Sequence, residues 1–204
     1  MAIAGQDTGP AENATGFARE TDAVTLARAR RGDMQAHAAI YAVYARACYT
    51  LAMRVLGNAA AAEDIVQDVF LKMMDAIKGY RGDAPFGAWL KRLTVNAAID
   101  QLRAQRHLDQ DDPERLFANV AEMSATTPDD SHDAMTLLQR LPPRARLVLV
   151  LHELEGYTHK ELSELFGQTE SYSKSILSRS LRRLHEWLSA PGEAMEMGRW
   201  ASQK

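Results

Sequence analysis

Apolar residues recur at helical spacing through most of the chain, and alternation of apolar and polar positions is almost absent, so the pattern predicts an all-α protein. Thr21 to Arg31 reads as a short helix stopped by Gly32. Asp33 can then cap a long helix carrying Ile40, Tyr41, Tyr44, Leu51, Val55 and Leu56, which Gly57-Asn58 ends. In the next run, AAAAEDIVQDVFLKMMDAIKGY, the residues Ile65, Val66, Val69, Phe70, Met73, Met74 and Ile77 make one broad inward face. Glu63, Asp64, Gln67, Asp68, Lys72 and Asp75 line its outside. After the loop YRGDAP, the segment FGAWLKRLTVNAAIDQLRAQR predicts a further helix that packs Trp89, Leu90, Leu93, Ala97 and Leu102 inward.

The periodicity fails over 107–131, which is polar, acidic and broken by Pro113 and Pro128, and reads as a flexible linker. Beyond it, DAMTLLQRL predicts a helix stopped before Pro142-Pro143, and RARLVLVLHELEG another stopped by Gly156. Residues 157–184, YTHKELSELFGQTESYSKSILSRSLRRL, predict two more helices with a sharp break between them. Thr158 and Glu161 form a capping box, Leu162, Leu165 and Phe166 give the first helix an apolar face, and Gly167 ends it. From about Thr169 the second helix carries Leu177, Leu181, Leu184 and Leu188 as a single apolar stripe. Its other face holds Ser171, Tyr172, Lys174, Ser175, Ser178, Arg179, Arg182 and Arg183, with no acid from Ser171 to His185. Hydroxyls and cations suit phosphate oxygens, and Arg or Lys also reads guanine in the major groove. An isolated basic helix would be read as a solvated face; the capped short helix and glycine turn in front of this one favour a helix-turn-helix directed at DNA.

Charge changes this picture only when read by zone. The whole chain has 24 Lys plus Arg against 27 Asp plus Glu, which gives no warrant for a nucleic-acid partner. Lys78 to Arg106, however, holds six cations against Asp83 and Asp100, a net charge of +4. His107 to Asp133 holds eight acids against Arg115 alone, a net charge of −7. Two basic zones flank an acidic one, and local potential steers a charged partner more than net charge does.

The remaining composition narrows the function classes. At 204 residues and 46% apolar content the chain can form one or two small cored domains. The single cysteine, Cys48, forbids an internal disulfide framework and reads as a packed thiol. No stretch approaches a membrane span, and the start MAIAGQDTGPAENATG lacks the cationic and apolar regions of a signal peptide. A disordered leader on a cytoplasmic protein is the expectation. There is no phosphate-binding glycine loop and no paired-carboxylate arrangement, and Gly156 interrupts any shared face of His152 and His159. No catalytic residue, metal site or cofactor is therefore expected.

Several pieces then agree in order and spacing: RRGDMQAHAAIYAVY, AEDIVQDVFLKM, YRGDAPFGAWLKRLTVNAAIDQLR, LPPRARLVLVLHELEGYTHKELSELFG and SYSKSILSRSLRRL. Together, from about Arg28 to Leu188, they resemble the extracytoplasmic-function sigma factors, the smallest class of the sigma-70 family of bacterial transcription initiation factors. The resemblance implies binding to core RNA polymerase and to promoter DNA, and an inhibitory anti-sigma factor as a third partner. AEDIVQDVF resembles the segment that grips the coiled coil of the largest polymerase subunit. Asp64, Gln67 and Asp68, at spacings of three and four, can present two carboxylates and an amide to a basic helix.

YRGDAPFGAWLKRLTVNAAIDQLR resembles the part that opens and captures the minus-ten promoter element. Unpaired bases need planar groups to stack on and cations for their backbone. Tyr80, Arg81, Phe86, Arg92 and Arg103 are the candidates, with Asn96 and Asp100 beside them; the spacing of Trp89 fits a core residue as well as a stacking platform, and core is preferred. The basic second helix resembles the one that reads the minus-35 element as duplex, with Tyr172, Lys174, Ser175, Ser178, Arg179, Arg182 and Arg183 as its DNA contacts. A Gly-Thr-Val-Lys-Ser-Arg run is common in the family where this chain has Ser171 to Ile176, which makes Tyr172 and Ile176 candidates for thymine methyl contacts.

The organisation expected is a leader over 1–20, a sigma region 2-like domain over 21–106, a flexible acidic linker over 107–131, a sigma region 4-like helix-turn-helix domain over 132–190 and a tail over 191–204. About 25 linker residues at about 3.3 Å each reach roughly 80 Å, close to the roughly 85 Å of about 25 base pairs. One chain can thus touch both promoter elements. A stand-alone helix-turn-helix regulator would explain the second domain but not AEDIVQDVF. A sigma-mimicking decoy for an anti-sigma factor would explain both domains, though such decoys are usually joined to a phospho-receiver domain for which this chain has no room.

Overall fold

The computed structural model describes residues 16–105, 116–117 and 134–189, and every regular element among them is helical. In chain order these are α1 (Ala23–Arg30), α2 (Met34–Leu56), α3 (Ala59–Ala76), α4 (Phe86–Ala104), α5 (Ala134–Arg140), α6 (Pro143–Leu149), α7 (His159–Phe166) and α8 (Glu170–Ser189). The chain divides into two compact units, Met1–Met53 with Asn58–Ile99, and Arg54–Gly57 with Asp100–Lys204. The expected acidic linker lies outside the described residues except for Leu116 and Phe117.

In the first unit the helix ends follow local chemistry. Asp22 caps α1 by accepting from the Thr25 amide at 2.8 Å, and Asn58 caps α3 by accepting from the Ala61 amide at 2.9 Å. Asp33 accepts from the Gln35 amide at the start of α2 and, with its other oxygen, from Arg28 Nε at 2.7 Å. Ile40, Tyr44, Cys48 and Leu51 form the fully buried stripe of α2, and Ile65, Val69 and Met73 of α3 and Leu90 and Ala98 of α4 are likewise buried. Cys48 is a packed thiol: burial pushes its pKa up to about 11, although the buried Thr94 hydroxyl lies 3.4 Å from its sulfur.

The expected leader is corrected at its end. Gly16–Ala18 forms a 3-10 turn, and the Tyr44 hydroxyl donates to the Arg19 carbonyl at 2.5 Å while accepting from Thr21 at 3.2 Å. Residues 16–20 thus belong to the first unit.

In the second unit α6 and α7 both pack on α8. The helix expected over RARLVLVLHELEG divides: α6 gives way to a π-helical turn, Val150–Leu154. The capping box of α7 has both its bonds, Glu161 amide to Thr158 Oγ1 at 3.2 Å and Thr158 amide to Glu161 Oε2 at 2.8 Å. Gly167 closes the helix at φ +64°, a left-handed conformation that a side chain would strain.

Candidate polymerase and nucleic-acid interfaces

On α3, burial of Ile65, Val66, Val69 and Phe70 turns the opposite face outward, and Asp64, Gln67 and Asp68 are all exposed. The three predicted polar groups therefore share one accessible surface. A groove of about 420 Å³ borders it, lined by Tyr41, Tyr49 and Val66 with Arg46, Glu63 and Gln67. The Tyr41 ring rests 4.7 Å from that of Phe70 and stays half exposed.

The start of α4 gathers three rings. Tyr80, Phe86 and Trp89 lie 5.2 to 5.4 Å apart between centroids. Phe86 is only 5% exposed and also meets Tyr44, so its expected role as a stacking platform is corrected to that of a core residue. Trp89 is half-buried. Arg81, Arg92, Asn96, Asp100 and Arg103 are exposed, the last four at spacings of four, four and three along one side of α4. Arg30 covers Tyr80, its guanidinium 5.5 Å from the ring centroid, and donates to the Tyr80 carbonyl.

Beside these rings lies a cavity of about 560 Å³ that the sequence did not reveal, with Phe17, Arg19, Tyr44, Tyr80, Phe86 and Lys91 in its wall. Gly87 makes this arrangement possible, since a methyl group there would overlap the Phe17 carbonyl oxygen. Elsewhere in a helix Gly→Ala gains about 0.5–1 kcal/mol. Here Gly87→Ala is expected to lift residues 16–21 off α4 and to accelerate tryptic cleavage after Arg19, with helical content unchanged. A cleavage rate equal to that of the parent chain would show that this segment is not seated there.

On α8 the structure divides the predicted contacts. Ser171, Lys174, Ser178 and Arg182 are exposed, and Ser175, Arg179 and Arg183 are partly so. Tyr172 is not: it is 8% exposed, with the Arg144 guanidinium 5.1 Å from its ring centroid. Its expected contact with DNA, and that of the fully buried Ile176, is corrected to a place in the core. The expected inward stripe is also rotated. Leu177 is buried, but Leu181 and Leu188 are exposed, and the inward positions include Ser173 and Ser180. Both serines return their hydroxyls to the helix backbone, Ser173 to Glu170 O at 2.9 Å and Ser180 to Ile176 O at 2.8 Å, which lets them be buried without an unmet donor. Of the linker, Phe117 shares a small cavity with Arg179, Arg182, Arg183 and Glu186.

Two family models match successive parts of the chain. Residues 40–108 match the family model for sigma-70 region 2, and residues 131–184 the model for sigma-70 region 4. The chain belongs to the sigma-70 family, in its extracytoplasmic-function class. Among sigma-70 relatives, the RNA polymerase sigma factor CarQ of Myxococcus xanthus is 30% identical over 171 residues, covering 80% of this chain and 95% of CarQ. The sigma factor SigM of Mycobacterium tuberculosis is 28% identical over 175 residues, 86% of this chain and 88% of SigM. Two solved complexes have the same fold at a TM-score of 0.50. The sigma factor RpoE bound to the anti-sigma factor NepR from Bartonella quintana is 20% identical and covers 72% of this chain. CnrH bound to the cytosolic domain of CnrY is 23% identical and covers 82%. The region 2 match takes in the acidic face of α3 and the rings and cations of α4, and the region 4 match takes in α7 and most of α8. Among the described residues no helix is long and apolar enough to cross a membrane.

Proposed function

We propose that this chain is a promoter-specificity subunit of RNA polymerase. The first unit grips core polymerase through Asp64, Gln67 and Asp68 and captures the opened minus-ten strand with Tyr80, Arg81, Arg92, Asn96, Asp100 and Arg103. The second unit lays α8 on the minus-35 duplex through Lys174, Ser175, Ser178, Arg179, Arg182 and Arg183. One observation carries the reading: a single chain joins region 2, with an exposed acid-amide face on α3, to region 4, with an exposed cation-hydroxyl face on α8. Catalysis of RNA synthesis belongs to polymerase, and the chain works in the cytoplasm where that enzyme is. An anti-sigma factor holds it inactive, in keeping with the anti-sigma factor NepR bound to RpoE in its solved complex.

The test is transcription by purified core polymerase with this chain added, on genomic templates, with start sites mapped. Transcripts whose starts share upstream elements at two positions are expected. A stand-alone regulator would bind duplex DNA and yield no such starts, and a decoy would bind only an anti-sigma factor.

A further inference from the structure

The first turn of α8 is tied to the rest of the second unit through two histidines. His152 lies in the π-helical turn and His159 is the first residue of α7. Gly156 between them breaks the helix, yet the resulting turn brings their Nε2 atoms to 3.0 Å, with the rings edge to face at 4.3 Å between centroids. On its other side His159 Nδ1 stands 2.9 Å from Ser173 Oγ. Ser173 is 1% exposed and sits in the chain directly before Lys174, the first exposed cation of α8.

The protons of this chain of contacts follow from donor and acceptor counting. Ser173 donates its only hydroxyl hydrogen to the Glu170 carbonyl, so its oxygen must accept from His159 Nδ1–H. His159 Nε2 is then a lone pair, and it accepts from His152 Nε2–H. The run His152 to His159 to Ser173 to Glu170 is complete with both imidazoles neutral. A first added proton leaves it complete, on His152 Nδ1 directly or on His159 Nε2 if His152 changes tautomer and becomes the acceptor. A second sets two N–H groups and two positive charges against each other at hydrogen-bonding distance.

We propose that His152 and His159 are positioning residues for minus-35 recognition, holding the first turn of α8 through Ser173 so that Lys174 meets the DNA in register, and releasing it when both imidazoles are charged. The inference rests on α8 being the recognition helix. The surrounding charges are mixed: Lys174 on α8 opposes a charge on His159, whereas Glu170 on α8 and Glu153 on the π-helical turn favour it. Burial, then His152 and Lys174, outweigh the two glutamates and hold the His159 pKa below its ordinary 6.5. A group with a depressed folded pKa binds its proton more readily when the structure is released. Its contribution is therefore full above the unfolded value and is lost as pH falls through the folded one. The register of α8 should hold at neutral pH and fail in mild acid.

The experiment measures binding of the full chain to a duplex carrying the minus-35 element found upstream of its mapped start sites, and to a scrambled duplex, from pH 7.5 to about 5.5 at fixed ionic strength. The preference for the matched duplex should fall about three- to tenfold over this range, the size of one lost hydrogen bond. Ser173→Ala should lower that preference already at pH 7.5 and remove its dependence on pH. His152→Gln, which keeps a side-chain donor but cannot titrate, should also flatten the profile, and thermal unfolding at pH 7.5 checks that both variants fold. If the parent chain and both variants follow one common profile, the histidines only pack and the proposal is overturned. A parent chain with no preference for the matched duplex at any pH would instead overturn the reading of α8 as the recognition helix.

Discussion

Replacing Asp64 and Asp68 together by lysine is expected to abolish binding to core RNA polymerase. Both carboxylates stand on the exposed face of α3, with Gln67 between them and the buried residues Ile65, Val66 and Val69 behind. If that face meets a basic helix, each reversal turns an attraction into a repulsion. Close charge pairs across interfaces couple by about 1.5–7 kcal/mol, so a double reversal should cost at least about 3 kcal/mol, on the order of a hundredfold in affinity. Lysine is a better helix former than aspartate, and neither side chain is part of the core, so helical content and thermal stability should stay within a few tenths of a kcal/mol of the parent. Co-purification with core polymerase and circular dichroism read the two quantities separately. A folded double variant that still co-purifies at parental yield would mean that the acidic face is only solvated.

This face was legible in the sequence because α3 obeys a simple rule. Its inward positions are large and apolar, its outward ones charged, and period 3.6 separates them without ambiguity. The capping box at Thr158, the stop at Gly167 and the cap at Asp33 were equally legible, since each depends on residues a few positions apart. What escaped depends on distance in sequence. Phe86 reads as an available ring until Tyr44, 42 positions earlier, closes over it. Gly87 reads as a weak helix residue until Phe17 is found against it. His152 and His159 are separated by a glycine that rules out a shared helix face, but a turn can join what a helix cannot.

The rotation of α8 has a different cause. The leucines at 177, 181, 184 and 188 form a valid stripe, and leucine counting alone prefers it. Burial instead follows Ser173, Ile176, Leu177 and Ser180, because a serine that donates to its own helix backbone adds little bulk and leaves no donor unpaired. Close approach of α6 and α7 to α8 then favours the small residues inside. This rotation removes Tyr172 from the DNA-facing set and leaves Lys174 as the exposed cation nearest the amino-terminal end of the helix.

Lys174→Ala and Arg182→Ala should therefore fail in different ways. The amino-terminal part of a recognition helix is the part that enters the major groove, and later positions lie along the phosphates. In the free chain Lys174 pairs with Glu170 at 3.3 Å and Arg182 with Glu186 at 3.8 Å, all four side chains about half exposed or more. Such exposed pairs are worth about 0–1 kcal/mol, less than the about 1–3 kcal/mol of a good base contact, so DNA can take both cations from their glutamates. Lys174→Ala should cost about 1–3 kcal/mol on the matched minus-35 duplex and much less on a scrambled one. Arg182→Ala should weaken both duplexes alike and flatten the slope of log affinity against log salt by about 0.9, the loss of one phosphate contact. Tyr172→Ala supplies the contrast, because removing a buried ring should cost about 3 kcal/mol or more of folding stability and appear as a lowered Tm before any change in specificity. The measurement is a salt series of the full chain and each variant on both duplexes. Equal losses for Lys174→Ala on the matched and scrambled duplexes would place base reading elsewhere on α8, at Ser175, Ser178 or Arg179, and leave Lys174 as one more phosphate contact.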